Sequence, residues 1–216
     1  MISKFVLGPF LQWLPSFVYL VIWGFAAYWY FEKTEGSKLS RLLWFTAGFD
    51  LLYAAALTYG NYYLWQQSPF DRILLHQPLN SETPLFGILK IFSFAQHLSG
   101  GYFIFYTFTR YWLPLISLAV LGLAFFLLLS AVRKFRPEIL DQNDLLLALI
   151  MSIIAGWPTF IIFLPLAFAI MLLYAIFNQL VLKRQRSDLG SALLAAGLLI
   201  IIAAPFLAKF LIPYRT

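Results

Sequence analysis

Between Leu145 and Leu182 the chain runs LLLALIMSIIAGWPTFIIFLPLAFAIMLLYAIFNQLVL, 38 residues without a Lys, Arg, His, Asp or Glu. A helix crosses the hydrocarbon of a bilayer in roughly 20 apolar residues. The run is therefore too long for one crossing and slightly short for two. Gly156-Trp157-Pro158 stands near its middle, and proline removes a backbone donor while clashing with the preceding turn. The sequence predicts a break at Trp157-Pro158, with a shorter helical piece entering the membrane and a longer one leaving it. Irregular backbone at that depth must be covered by protein or line a water-filled cavity. The expectation is a polytopic membrane protein with a sheltered interior.

Composition agrees. The chain has 216 residues, 62% apolar and 11% charged, with a mean hydropathy of +0.83. Soluble domains carry about 25% charge, which excludes a water-soluble globule. No Gly/Ser/Pro-rich linker or charge block divides the sequence, so residues 1–216 read as a single transmembrane helical domain. The net charge of +6 comes from Lys and Arg in short loops between apolar spans. That placement fits positive-inside topology and anionic lipid rather than nucleic acid. Seven Trp and twelve Tyr suit an interfacial belt. With no cysteine, disulfides and thiol chemistry are excluded.

In chain order, residues 1–14 read as an interfacial lead-in and Pro15 to Phe31 as a first span ending in Tyr28-Trp29-Tyr30. A basic loop with Lys33, Lys38 and Arg41 follows, then a second span from Leu42 to Trp65 containing Asp50. Gln66 to Pro84 is the longest polar loop. Leu85 to Thr109 is a mixed segment, Trp112 to Val132 a clean span, and Gly190 to Ile212 the last. The fold expected is all-α, with six to seven membrane segments including a broken or re-entrant helix. If every apolar run crossed once, the basic clusters at 133–136 and 183–186 would fall on opposite sides. Turning back at Trp157-Pro158, with 85–109 re-entrant, makes all three basic loops cytoplasmic, as the basic-loop bias favours.

Few residues can carry chemistry. Asp50 sits inside a span, where an acid faces a cavity or a hydrogen-bonding partner; Lys90 is one candidate partner. Gln96-His97-Leu98-Ser99-Gly100-Gly101 is the most site-like stretch. Its paired glycines permit close backbone approach to a helix or a ligand, His97 can act as a base, and Ser99 as a donor or nucleophile. The plainer reading is small-residue helix packing beside an interfacial histidine. Asp141 and Asp144 share a helical face, as a catalytic pair would, but capping before Leu145 explains them more cheaply. His76 reads as an ordinary loop histidine. No metal-ligand spacing or phosphate-binding loop is present, and no cofactor is expected.

Taken together, the stretches Pro84-Leu85 through Ile88-Leu89-Lys90-Ile91-Phe92 to Ser99-Gly100-Gly101, Ala155-Gly156-Trp157-Pro158-Thr159-Phe160, Leu164-Pro165 and Lys209-Phe210-Leu211 resemble, in order, the motifs of the prolipoprotein diacylglyceryl transferase family. The resemblance implies a bacterial inner-membrane (plasma-membrane) protein of lipoprotein biosynthesis that moves a diacylglyceryl group from phosphatidylglycerol to a lipobox cysteine of a prolipoprotein. It assigns Ser99 and His97 to catalysis, and Lys90, Gly100, Gly101, Arg110, Trp157 and Lys209 to the phospholipid. Ser99 stands where that family has histidine, Trp157 where it has arginine, and Lys209 at a later arginine. A lipid-binding or assembly subunit without the reaction is the alternative. Asp144 through Gly156-Trp157-Pro158 is also similar to the C-terminal half of prepilin peptidases, which would make Asp50 and Asp144 an intramembrane aspartyl pair.

The topology is directly testable, because the native chain has no cysteine to interfere with labelling. Single-cysteine variants Lys134→Cys and Arg184→Cys should react with an impermeant maleimide from the same side of the membrane; reaction from opposite sides removes the turn-back.

Overall fold

The computed structural model describes residues 2–33, 36–81, 83, 85, 87–135, 140–182 and 189–211, with side chains described for all of these except 2–12, 88, 181–182, 205 and 208–211. Every regular element among the described residues is helical. Helix α1 spans Ile2–Phe31, α2 Gly36–Gln67 and α3 Pro69–His76, followed by a 3₁₀ helix over Gly87–Gln96. Helix α4, Gly101–Thr107, passes through a π turn at Phe108–Trp112 into α5, Leu113–Phe135. Helix α6 is Gln142–Ala155, α7 is Phe160–Phe177 with a π turn over Asn178–Leu182, and α8 is Leu189–Leu211.

Four of these stretches are long and apolar enough to cross a membrane, namely Trp13–Phe31, Gly36–Gln67, Gly101–Phe135 and Phe160–Leu180. Gln142–Ala155 and Leu189–Ala204 are shorter apolar helices. Trp44, Leu52, Leu172 and Leu173 are exposed on the long helices, the placement expected of side chains facing lipid. The architecture is that of a helical membrane protein.

Two boundaries differ from the sequence expectation. The lead-in at 1–14 belongs to α1, which continues through Pro9 and Pro15; neighbouring helices and local adjustments can satisfy the groups a proline frees in a membrane helix. The division between 85–109 and 112–132 is absent too. Helix runs unbroken from Gly101 to Phe135 across Arg110, and the actual stop is the turn before Gly101.

The chain packs as two compact units, Met1–Ala47 with Leu118–Thr216, and Gly48–Ser117. In the first, α6 is the centre. Nine of its 14 residues are buried, so protein rather than lipid surrounds this short helix. Ile22 and Ala26 of α1 and Leu193, Ala196 and Ile200 of α8 pack into the same core. Small residues set the spacing: Gly197 lies against Met151 and Trp23, and Gly122 against Ser152. Trp23 Nε1 also donates to the Leu194 carbonyl at 2.8 Å.

The start of α6 is fixed by charge. Asp141 caps the helix, accepting from Gln142 N at 2.6 Å, while Asp144 Oδ2 accepts from Asp141 N at 2.9 Å, a reciprocal capping box. Asp144 is buried, and its Oδ1 accepts from the Tyr30 hydroxyl at 2.9 Å. The Tyr30 ring in turn lies directly against Gly190, leaving no room for a Cβ there. Gly36 approaches Asn143 and Leu146. The ends of α1 and α5 and the starts of α2, α6 and α8 thus meet at one end of this unit, along with Lys33, Lys38, Arg133 and Lys134. Residues 183–186 lie outside the described residues, but α8 begins at this end, so the chain has returned to it.

Between α6 and α7 the expected interruption is present. Gly156 takes a positive φ of 68° and the Trp157-Pro158 peptide is cis. Helix resumes at Phe160, so the irregular backbone is confined to four residues, 156–159.

Removing the cap should loosen this unit measurably. Tyr30→Phe should cost about 1 kcal/mol, one hydrogen bond. Asp144→Ala should cost roughly 2–3 kcal/mol, because it strands both the half-buried Tyr30 hydroxyl and a cap amide. Thermal unfolding in detergent gives the order; equal losses would mean Tyr30 is the only partner that matters.

Candidate functional site

The candidate site is built within the unit Gly48–Ser117, from the end of α2, helix α3 and the turn before α4. Helix α3 exists because Ser68 accepts from Asp71 N at 3.4 Å as its N-cap and Pro69 occupies the first turn, where its missing N–H costs nothing. The loop read from sequence as 66–84 therefore contains a helix. His76 is not an ordinary loop histidine but lies in that helix's last turn. Arg72 and His76 are four residues apart and share a face. With Tyr62 and Gln66 of α2 and Leu75 they line a hollow of about 340 Å³.

The Ser99-Gly100-Gly101 turn is stitched to the same helix. Ser99 Oγ donates to the His76 carbonyl at 3.2 Å. Tyr102 N donates to the Gln77 carbonyl at 3.2 Å, and Leu79 N to that of Ala95 at 3.0 Å. Gly100 sits at φ 83°, in the left-handed region open to glycine, and a Cβ there would lie 3.0 Å from the Leu75 carbonyl. At Gly101 a Cβ would collide with the Ala95 carbonyl. Of the two uses the glycine pair allowed, close approach to protein backbone is the one observed.

An aromatic group surrounds this end. Trp65 stacks on Tyr102 at 6.2 Å between centroids and meets Tyr106 at 5.1 Å, while Tyr62 meets Phe103 edge-on at 5.7 Å. Phe70 and Ile73 of α3, three residues apart, are both exposed and give the helix an apolar outer edge. Aromatic rings and an exposed apolar helix edge are what the headgroup boundary of a bilayer selects.

The residues singled out from sequence fall variously. Ser99, Gly100 and Gly101 lie beside the hollow, held by His76 and Leu75. His97 and Lys90 are exposed, Lys90 on the 3₁₀ helix. Arg110 is exposed in the π turn, its guanidinium 5.6 Å from the Tyr106 ring centre, a cation–π arrangement. Asp50 is half-buried on α2. In the other unit, Trp157 is exposed at the interruption, and the carboxylate oxygens of Asp144 are both engaged, one by the Asp141 cap amide and the other by the Tyr30 hydroxyl. Lys209 belongs to α8, but its side chain lies outside the described residues. Tyr62, Gln66 and Arg72 were not foreseen. The signal for them was Ser68-Pro69 ahead of Asp71, a helix-start signature that sets Arg72 and His76 on one face.

No protein-family model, curated protein or solved structure matches the chain.

The glycine geometry predicts that Gly101→Ala disrupts the turn, since backbone carbonyl, not a movable side chain, fills the space. Faster proteolysis between residues 77 and 100, or unfolding several degrees lower, checks this; wild-type behaviour would mean that the turn is not packed as described.

Proposed function

We propose that this chain is a phospholipid-handling protein of the bacterial inner (plasma) membrane that holds a phosphatidylglycerol-like headgroup in the hollow beside Ser99-Gly100-Gly101. One observation carries the reading: Arg72 and His76 share a polar hollow with Tyr62 and Gln66, and the Tyr62 ring belongs to an aromatic group with Phe103. A guanidinium offers paired donors to phosphate oxygens. Tyr62 and Gln66 add neutral donors for glycerol hydroxyls, and Phe70 and Ile73 lie where acyl chains begin. Lys90 and Arg110, in the same unit, are the further cations that the sequence offers to the phosphate.

Diacylglyceryl transfer to a lipobox cysteine is the activity this site would serve if it is catalytic. The cysteine sulfur bonds to the glycerol carbon of the diacylglyceryl group, the carbon–oxygen bond to phosphate breaks, and glycerol phosphate leaves. The thiol proton goes to a base, for which His97 is the sequence-based candidate and His76 the one lining the hollow. The seating of Ser99 on His76 supports placing this chemistry here. Against an aspartyl peptidase, Asp144 has one oxygen committed to the α6 cap and the other to the Tyr30 hydroxyl.

The test is purified protein supplied with phosphatidylglycerol and a lipobox peptide. Release of glycerol phosphate with a peptide mass gain of one diacylglyceryl group supports transfer. Phosphatidylglycerol that copurifies without release supports binding alone. In either case Arg72→Gln should weaken retention by about 1.5–3 kcal/mol, one hydrogen bond to a charged group. Retention unchanged by Arg72→Gln refutes the site.

A further inference from the structure

We propose that a second hollow, within the unit formed by Met1–Ala47 and Leu118–Thr216, seats the headgroup of an anionic glycerophospholipid at the basic end of its helices. The hollow measures about 490 Å³ and lies between α5 and α6. It shares no lining residue with the hollow around Arg72, so the inference stands apart from the proposed function.

Its walls change polarity in step. Along α5, Phe126, Ser130 and Arg133 fall at spacings of four and three and so occupy one face; Lys134 follows at the helix end. Across from them on α6, Leu146 lies deeper and Gln142 opens the helix. Both walls therefore run from apolar through a neutral hydrogen-bonding group, with two cations at the open end of α5. From Phe126 to Arg133 the helix rises about 10 Å, and the polar zone of a bilayer leaflet is roughly 5–8 Å deep. A lipid presents the matching series: acyl chain, glycerol ester, phosphate.

The position is that of a membrane surface. Tyr28 and Phe31 at the end of α1 and Phe135 at the end of α5 are exposed, and Lys33 and Lys38 lie between α1 and the first turn of α2. Cations in the last turn of α5 also offset its dipole, which accounts for the charges but not for a hollow beneath them lined by a hydroxyl and an amide. Two acids stand near and neither lines the hollow: Asp141, tied back to Gln142 N at 2.6 Å, and Asp144, whose oxygens accept from the Tyr30 hydroxyl and Asp141 N. The charged groups that line the hollow are the two cations, which select an anionic headgroup over a zwitterionic one, and the apolar floor selects a lipid over a free phosphate ester.

The experiment titrates dioleoylphosphatidylglycerol and dioleoylphosphatidylcholine into the purified full chain and counts bound lipid by native mass spectrometry. The variant combining Arg133→Gln with Lys134→Gln should bind phosphatidylglycerol at this site about tenfold more weakly, the loss of one charge-assisted hydrogen bond, with phosphatidylcholine binding unchanged. Ser130→Phe, which fills the hollow and keeps both charges, should cause the same loss. Unfolding temperatures in phosphatidylcholine serve as the folding control, and should Ser130→Phe fail it, the charge variant decides. Unchanged phosphatidylglycerol binding in a folded variant overturns the site. Competition by soluble glycerol 3-phosphate as strong as by the lipid overturns the lipid as occupant. Arg72→Gln, run in parallel, removes the lipid of the proposed function and leaves this one, so the two readings fail separately.

Discussion

Backbone polar groups cannot be left bare in hydrocarbon, and an interrupted helix inside a membrane protein survives only by satisfying its own ends. At residues 156–159 this is done almost entirely locally. Gly156 N is shared between the carbonyls of Ser152 and Ile153 at 3.3 and 3.1 Å. Phe160 N reaches back to Gly156 O at 2.7 Å, and Ile162 and Phe163 both donate to Thr159 O. The Thr159 hydroxyl takes up the Ala155 carbonyl left over by the end of α6. Threonine after Trp-Pro is therefore as much a part of the break as the proline. The proline removes a donor, and the hydroxyl returns one.

That local solution lets α6 stop at about two thirds of the length of a membrane span and still be surrounded by protein. Once α6 is short and buried, its N-terminus must also be settled within the protein, and Asp141 with Asp144 does this. Burying a carboxylate is expensive unless its oxygens are bonded; here the Tyr30 hydroxyl and the cap amide occupy one oxygen each. The arrangement needs a tyrosine at the end of α1 and a glycine at position 190 to admit the ring. Three elements, α1, α6 and α8, are tied together through one acid.

The parts visible from sequence were those governed by a strong local rule. An uncharged run of 38 residues interrupted by Gly-Trp-Pro had to break, and two acids three residues apart ahead of Leu145 had to cap. Features that depend on what lies outside a helix were not visible. Arg110 looked like a boundary because a cation is costly in a span, yet it is exposed and rests on Tyr106 four residues earlier, so the helix passes through it. Pro9 and Pro15 set the lead-in apart from the first span because proline removes a backbone donor, yet α1 continues through both. The site was half legible: the Ser-Gly-Gly turn announced itself by composition, whereas its partners Arg72 and His76 sat in a loop whose short helix is set by a single Ser68 cap.

The same contrast bears on how a phosphate could be held. In the family that the sequence resembles, an arginine stands where this chain has Trp157, and an indole has no charge to offer. A phosphate in a low-dielectric setting needs a cation with directed donors. Arg72 satisfies that requirement from another element, on the face of α3 that also carries His76, whose carbonyl receives Ser99. Because Ser99 and Tyr102 donate to the His76 and Gln77 carbonyls, the backbone of α3 that carries Arg72 is held beside that turn. In the proposed reading Arg72 is the cation that meets this requirement, and it meets it within its own unit, from a helix whose backbone is held to the Ser-Gly-Gly turn.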